Sequence, residues 1–461
     1  MGWLARSGDA FTPLAPPMGP QVKARLRKFL VALRESFWLL PASMTLAGVL
    51  SALALVRVDD AATFPDWLKH SAWFYQGGSE GARALLTAVA TSTIGVAGTV
   101  FSIMIAALSL AANQMGPHLL RNFTKDRGNQ FTLGAFLGAF AYALTVLRTV
   151  RSEARGEFVP YLSSSVAILL AFLCVGALVF FIGHMAARIN VATVIGLVSA
   201  ELRAAIAATT VEAQQAAPPP ASFWRDAAPI VDDRRGYLLQ LDDRALAKWA
   251  AKNRIALRLL VRPGEYVFPG APIALATRTV EGAGAAIRRA TALGMRRDEL
   301  TDMEFTVRQL VEIAVRALSP SINDPLTAIA VVERLGDALC ALAPRHLPTG
   351  VTTCDGAVVL VVPSLDYDGL LDAMFDMIRQ NAAHSPAVLS RLLDALTVVA
   401  SCEHRESRVA ALRRHADVTL STAGRAIAMA EDLDAIRKRH GAIDAMAQRG
   451  AAGHLEAMES E

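Results

Sequence analysis

The side chains equipped for chemistry in this chain are few and dispersed. Cys402, Glu403, His404 and Glu406 crowd what reads as one helical turn, bringing together a thiol, an imidazole and carboxylates. A metal or a nucleophile needs partners converging from elsewhere in the fold. The nine histidines are scattered, and H-E-x-x-H does not occur. A structural or surface role is expected for this group. Cys174, Cys340, Cys354 and Cys402 show no metal-type spacing. Gly282-Ala-Gly284 opens a helix after a strand, but Ile287 stands where a dinucleotide fingerprint needs its third glycine. No catalytic residue, no metal and no cofactor is therefore expected.

A ligand site is conceivable at one corner. Arg316, Ser319, Asn323, Asp324 and Thr327 lie around Ser319-Pro320 and Asp324-Pro325, where one helix stops and another starts. The amides of a helix start attract anions. Capping residues with proline in the first turn also describe a helix-turn-helix corner that satisfies its own backbone. Both readings stay open from the residue types.

The elements that must carry these groups are largely apolar. Of 461 residues, 53% are hydrophobic and 19% charged, against about 25% charged in soluble domains. Four spans are long enough to cross a bilayer or nearly so: residues 37–56, 85–113, 131–147 and 161–183. No Asp, Glu, Lys, Arg or His interrupts them. A proton relay or ion pump generally needs such groups inside the membrane, so that class of transporter is disfavoured. The net charge of +4 is small. Its clustered part (Lys23, Arg25, Arg27, Lys28, Arg34) precedes the first span, where the positive-inside rule accounts for it and nucleic acid is not required.

The second span carries a stripe. Thr87, Thr91, Gly95, Gly98, Ser102, Ala106, Ser109 and Asn113 follow at steps of three or four and fall on one helix face. Small, mildly polar faces in membranes either pack against protein or line a wet path. The third span holds Gly134 and Gly138, a GxxxG pair suited to close helix packing.

The soluble half alternates. Residues 236–242, 255–261 and 272–276 read as strands, with a short helix after the first and turns at Pro263-Gly264 and Pro269-Gly270. Helices dominate from Asp298, interrupted by a hairpin at Asp355-Gly356. Phe305, Leu310, Ile313, Ala314 and Ala317 form an apolar face, and Glu304, Arg308, Glu312 and Arg316 a solvated, salt-bridged one.

The fold class expected is mainly α: a four-helix transmembrane bundle followed by a cytoplasmic α+β domain. In order these are a basic cytoplasmic segment (1–36), the transmembrane domain (37–183), a stalk or interfacial helix with a proline-rich linker (184–220), a small β-rich unit (221–280), a mainly helical domain (281–450) and a disordered tail (451–461).

Three strings resemble a bacterial family of predicted inner-membrane proteins, domain of unknown function 2254. They are Met115-Gly-Pro-His-Leu-Leu-Arg-Asn-Phe-Thr-Lys-Asp126, Gly236-Tyr-Leu-Leu-Gln-Leu-Asp242 and Arg316-Ala-Leu-Ser-Pro-Ser-Ile-Asn-Asp-Pro-Leu-Thr-Ala328. The resemblance runs from about residue 25 to residue 430. It implies four N-terminal membrane helices and a cytoplasmic tail, and supplies no catalytic residues.

The resulting expectation is a non-enzymatic, multi-pass protein of the bacterial inner membrane with both termini cytoplasmic. It would form a homo-oligomer in the lipid bilayer with a channel-like path, gated or assembled by its tail. The alternative is a membrane-anchored signalling or scaffold protein that takes a protein partner or small anion near Asn323 and Asp324.

Overall fold

A computed structural model of the chain describes residues 37–61, 75–115, 126–151, 158–295 and 303–459. It forms two compact units, one reaching Ala187 and one beginning at Arg188 that also takes in the end of the second long helix from Ala111 to Met115. The basic leader lies outside the described residues, as does most of the Met115–Asp126 string.

The first unit holds α1 (Leu39–Ala61), α2 (Ser79–Met115), α3 (Arg127–Leu147) and α4 (Tyr161–Ile189). The third helix is central: 61% of its apolar window is buried, against 11% for α1 and 22% for α4. The reason is glycine. A Cβ on Gly48 of α1 would stand 2.4 Å from the Gly138 carbonyl oxygen, and one on Gly134 would stand 2.5 Å from Met44 Sδ. Only hydrogen fits at such a crossing, so the two backbones approach closely. The outer faces carry Leu46, Leu50 and Leu53 on α1, and Leu169, Phe172, Val175, Val179 and Ile182 on α4, all exposed on the chain. In water such a surface is unfavourable by roughly 25 cal/mol per Å², whereas in lipid it is at home.

The second unit begins with α5 (Val191–Thr209), capped by Asn190, whose side chain accepts from the Ala192 amide at 2.9 Å. Among the described residues, five helices thus have the length and apolar character to cross a membrane, where the sequence reading expects four. The fifth falls in the segment expected to be a stalk or interfacial helix. Its helix runs 19 residues, and Val194, Ile195, Val198, Leu202 and Ile206 pack into the core of the second unit. That core is built on α8 (Met303–Ala317), α9 (Pro325–Leu342), α10 (Tyr367–Asn381), α11 (Pro386–Cys402) and α12 (Glu406–Ala426), with α13 (Ala430–Glu459) behind.

The β part comprises β1 (Ala228–Asp232), β2 (Gly236–Leu241), α6 (Asp243–Lys252), β3 (Leu257–Leu259), β4 (Tyr266–Val267), β5 (Ala271–Ala276), α7 (Ala283–Ala290) and β6 (Thr291–Gly294). A hairpin, β7 (Val351–Cys354) and β8 (Ala357–Val361), returns from the helical region. The five-stranded sheet runs β1-β5-β3-β8-β7, and β4-β2-β6 form a second sheet. The pair β3–β8 is parallel, joining Leu257 to Leu360 across a long crossover. Asp355 (φ 51°) and Gly356 (φ 78°) supply the left-handed pair of a two-residue hairpin turn.

Three expectations need correction. The boundary at residue 280 is not structural, because β6 pairs with β2 and β8 with β3 across it. Strand pairing over such separations leaves no local trace in sequence. The tail expected to be disordered continues α13 to Glu459, in keeping with its strong helix formers Ala, Leu, Met and Glu. Glu304, assigned to a solvated face, is buried and accepts from Arg308 and, at 2.5 Å, from Arg262. The β part reaches that helix face through Arg262, which the i, i+4 pattern does not reveal.

Candidate functional site

The stripe on α2 separates two faces of one helix. Leu86, Val89, Ala90, Thr93, Ala97, Val100, Met104 and Ala107 are buried at three- and four-residue steps. Thr87, Thr91, Gly95, Gly98, Ser102, Ala106 and Ser109 are exposed, and a Cβ on Gly95 or Gly98 would meet nothing within 4 Å. Asn113 continues the helix, its side chain outside the described ones. Close helix packing inside the chain instead uses Gly48, Gly134 and Gly138.

The hydroxyls of the exposed face turn back on their own helix. Ser102 Oγ donates to the Gly98 carbonyl at 2.9 Å, and the neighbouring Thr99 Oγ1 to the Gly95 carbonyl at 3.2 Å. Their protons are therefore satisfied without a partner, while oxygen lone pairs remain on the surface. Such a face tolerates lipid, another helix or water.

Among the described residues, several charged groups of the first unit sit at helix ends. Asp59, in the last turn of α1, caps α4: its carboxylate accepts from the Leu162 and Ser163 amides at 2.9 Å each. Asp126 caps α3 by accepting from the Gly128 amide at 2.7 Å, and lies 2.9 Å from His184 Nε2 on α4. Buried Tyr142 donates to the Ser163 carbonyl at 2.9 Å. Charge thus supports the bundle from its ends and leaves the span interiors apolar.

The corner at residues 316–327 closes on itself. Asp324 accepts from the Thr327 amide at 3.2 Å and the Thr327 hydroxyl at 2.6 Å. These hydrogen bonds, that of the Thr327 side chain foremost, hold its carboxyl below the usual carboxylate range. The Asn323 amide donates to the Ser319 carbonyl at 2.8 Å from a left-handed backbone (φ 49°), and Ser319 Oγ donates to the Arg316 carbonyl at 2.7 Å. Arg316 pairs with Glu312 at 3.2 Å. An approaching anion meets the Asp324 carboxylate at this helix start.

Cys402, Glu403, His404 and Glu406 do not share a helical turn. The helix breaks there, α11 ending at Cys402 and α12 starting at Glu406. Glu403 is buried and gathers Arg408 at 3.0 Å, Arg405 at 3.2 Å and the His404 and Arg405 amides, locking the junction. Arg408 also lies over the Tyr367 ring, 4.7 Å from its centroid. Nearby, an open cleft of about 400 Å³ is lined by Glu333, Asp337, Cys340, Arg391, Asp394 and Val398. Its carboxylates are paired with arginines, Glu333 with Arg391 at 2.5 Å and Asp337 with Arg203 at 3.2 Å. Burial, with Cys402 alongside, pushes the Cys340 thiol up to about 12, so it is not a thiolate at neutral pH. Sequence reasoning did not find Gly48, the Asp59 cap, the Asp126–His184 pair or this cleft. Gly48 alone had a signal, being a small residue inside an apolar run.

Long apolar helices with outward apolar side chains, capped and tied by charged groups at their ends, define a membrane protein with several apolar helices. The chain belongs to the family described as predicted membrane protein, DUF2254, whose model matches residues 34–398. It is 31% identical over 402 residues to the uncharacterized protein MT1328 of Mycobacterium tuberculosis strain CDC 1551, covering 84% of this chain and 76% of the relative. The same figures hold for the uncharacterized proteins Mb1321c of Mycobacterium bovis and Rv1290c of M. tuberculosis strain H37Rv. No solved structure matches the chain.

Proposed function

We propose that this chain is the non-enzymatic subunit of a homo-oligomer in the bacterial inner membrane. Copies of α2 meet around a channel-like path, each contributing the face from Thr87 to Ser109. The carrying observation is that this face stands exposed on the chain while the opposite face of the same helix is buried. Four helices are few to enclose a path, so neighbouring copies must supply the rest of the wall. In this reading α1 to α4 cross the bilayer and α5 does not, since its apolar side is occupied in the second unit. An even number of crossings after a basic leader puts both termini in the cytoplasm. The second unit then assembles or gates the path.

The test is conductance of the purified protein in liposomes. Wild type is expected to conduct, and Gly98→Leu or Ser102→Leu to reduce that conductance at least severalfold. An unchanged conductance in both variants removes α2 from the path.

The alternative, a membrane-anchored signalling or scaffold protein, is favoured by the cleft between Glu333 and Arg391 in the second unit. Native mass spectrometry of the detergent-solubilised chain separates the two. A monomer that captures a protein partner or small ligand supports the scaffold, and a defined homo-oligomer supports the path.

A further inference from the structure

On the surface of the second unit, α10 and α12 bring together three groups that no sequence motif joins. Asp372 and Asp376 stand four residues apart on one face of α10, and His415 faces them from α12. One donor atom from each lies within 4.8 Å of the others. His415 Nε2 is 3.0 Å from Asp372 Oδ1. The geometry points to a binding site for a single divalent transition-metal ion, with Asp372, Asp376 and His415 as its three protein ligands.

The donor set and its setting fit such an ion. Three ligands each about 2.1 Å from one metal sit roughly 3–3.5 Å apart in tetrahedral or cis-octahedral geometry, so small side-chain rotations complete the shell. The imidazole is held rigidly: its side chain is 6% exposed and the Phe375 ring stands edge-on to it at 6.4 Å. Asp372 is 59% exposed, leaving one side of the site open to water as the remaining ligand. Asp376 Oδ1 accepts from Arg379 at 3.1 Å, a contact that orients the carboxylate. Arg414, next to His415, is drawn to Asp368 at 2.5 Å.

Two carboxylates at i, i+4 repel each other on a helix. Here Arg379 offsets part of that repulsion at Asp376, and a metal ion beside the buried imidazole would offset the rest. One nitrogen and two oxygens suit zinc, manganese or cobalt better than magnesium or calcium, which prefer all-oxygen shells, or copper(I), which prefers sulfur. Zinc is the sharpest probe, because three protein ligands plus water is a common zinc arrangement.

The experiment uses the full-length, untagged protein in detergent, stripped with chelator and titrated with zinc by calorimetry. About one zinc per chain is expected, with the Asp372→Asn/Asp376→Asn double variant weakened roughly a hundredfold. His415→Gln is the second arm, read with cobalt, whose visible absorption reports the imidazole ligand. His440→Asn, which removes an isolated His–Asp pair 2.7 Å across, should bind as wild type does. The proposal is overturned if wild type binds no zinc at tens of micromolar. It is equally overturned if the double variant, folded by circular dichroism, binds zinc as tightly as wild type.

Discussion

Asp59 holds Ser163 by two bonds at once, accepting from its amide at 2.9 Å and from its hydroxyl at 2.6 Å. The last turn of α1 thereby becomes the N-cap of α4, 103 residues away when counted to Leu162, whose amide the same carboxylate accepts. Capping is usually local, supplied by the residue just before the helix. Here a neighbouring helix supplies it, which ties two apolar helices at one end without placing charge inside the bundle.

Asp59→Ala should therefore destabilise the first unit by about 2 kcal/mol, the order of one or two hydrogen bonds to a charged group. Asp59→Asn should recover part of that loss. The measurement is thermal or denaturant unfolding of the detergent-solubilised chain, and an alanine variant as stable as wild type contradicts the cap.

Glycine substitutions should divide sharply by face. Gly48→Ala places a methyl 2.4 Å from the Gly138 carbonyl oxygen, so α1 and α3 must separate. Overpacking of this kind is typically destabilising by about 1–3 kcal/mol. Gly98→Ala meets nothing within 4 Å and should not destabilise a single chain. The same unfolding assay reads both. Equal effects would erase the distinction between a seam inside the chain and a face outside it.

The Asp324 cap should show in pH dependence. Its carboxyl is held below its unfolded value of about 3.9 by hydrogen bonds from Thr327. A depressed carboxyl contributes stability that is fully present above the unfolded value and lost as pH falls through the folded one. Asp324→Ala should lower stability by about 1 kcal/mol at neutral pH. The difference from wild type should shrink as the pH falls below about 4, and a difference independent of pH would refute this role.

The sequence carries local information well and pairings between distant segments poorly. The strand at Gly236, the hairpin at Asp355-Gly356 and the cap at Asp324 are written in residue types a few positions apart. The parallel pairing of Leu257 with Leu360, the burial of Glu304 by Arg262 and the cap from Asp59 depend on segments that meet only in the folded chain. The stripe on α2 was legible as a pattern, because period and residue size define a face. Which way that face points was not, since Thr93 and Ser102 look alike in sequence yet lie on buried and exposed sides. Asp372 and Asp376 likewise announce a spacing, but His415 joins them only through the packing of α10 against α12.

The central claim, that α2 faces α2 of another copy, is tested most directly by cysteine cross-linking in native membranes. The background lacks the four native cysteines, Cys174, Cys340, Cys354 and Cys402. A single cysteine at Gly98 should give a covalent dimer on oxidation, and one at buried Thr93 should not. Cross-linking from neither position, or from both equally, would contradict the account.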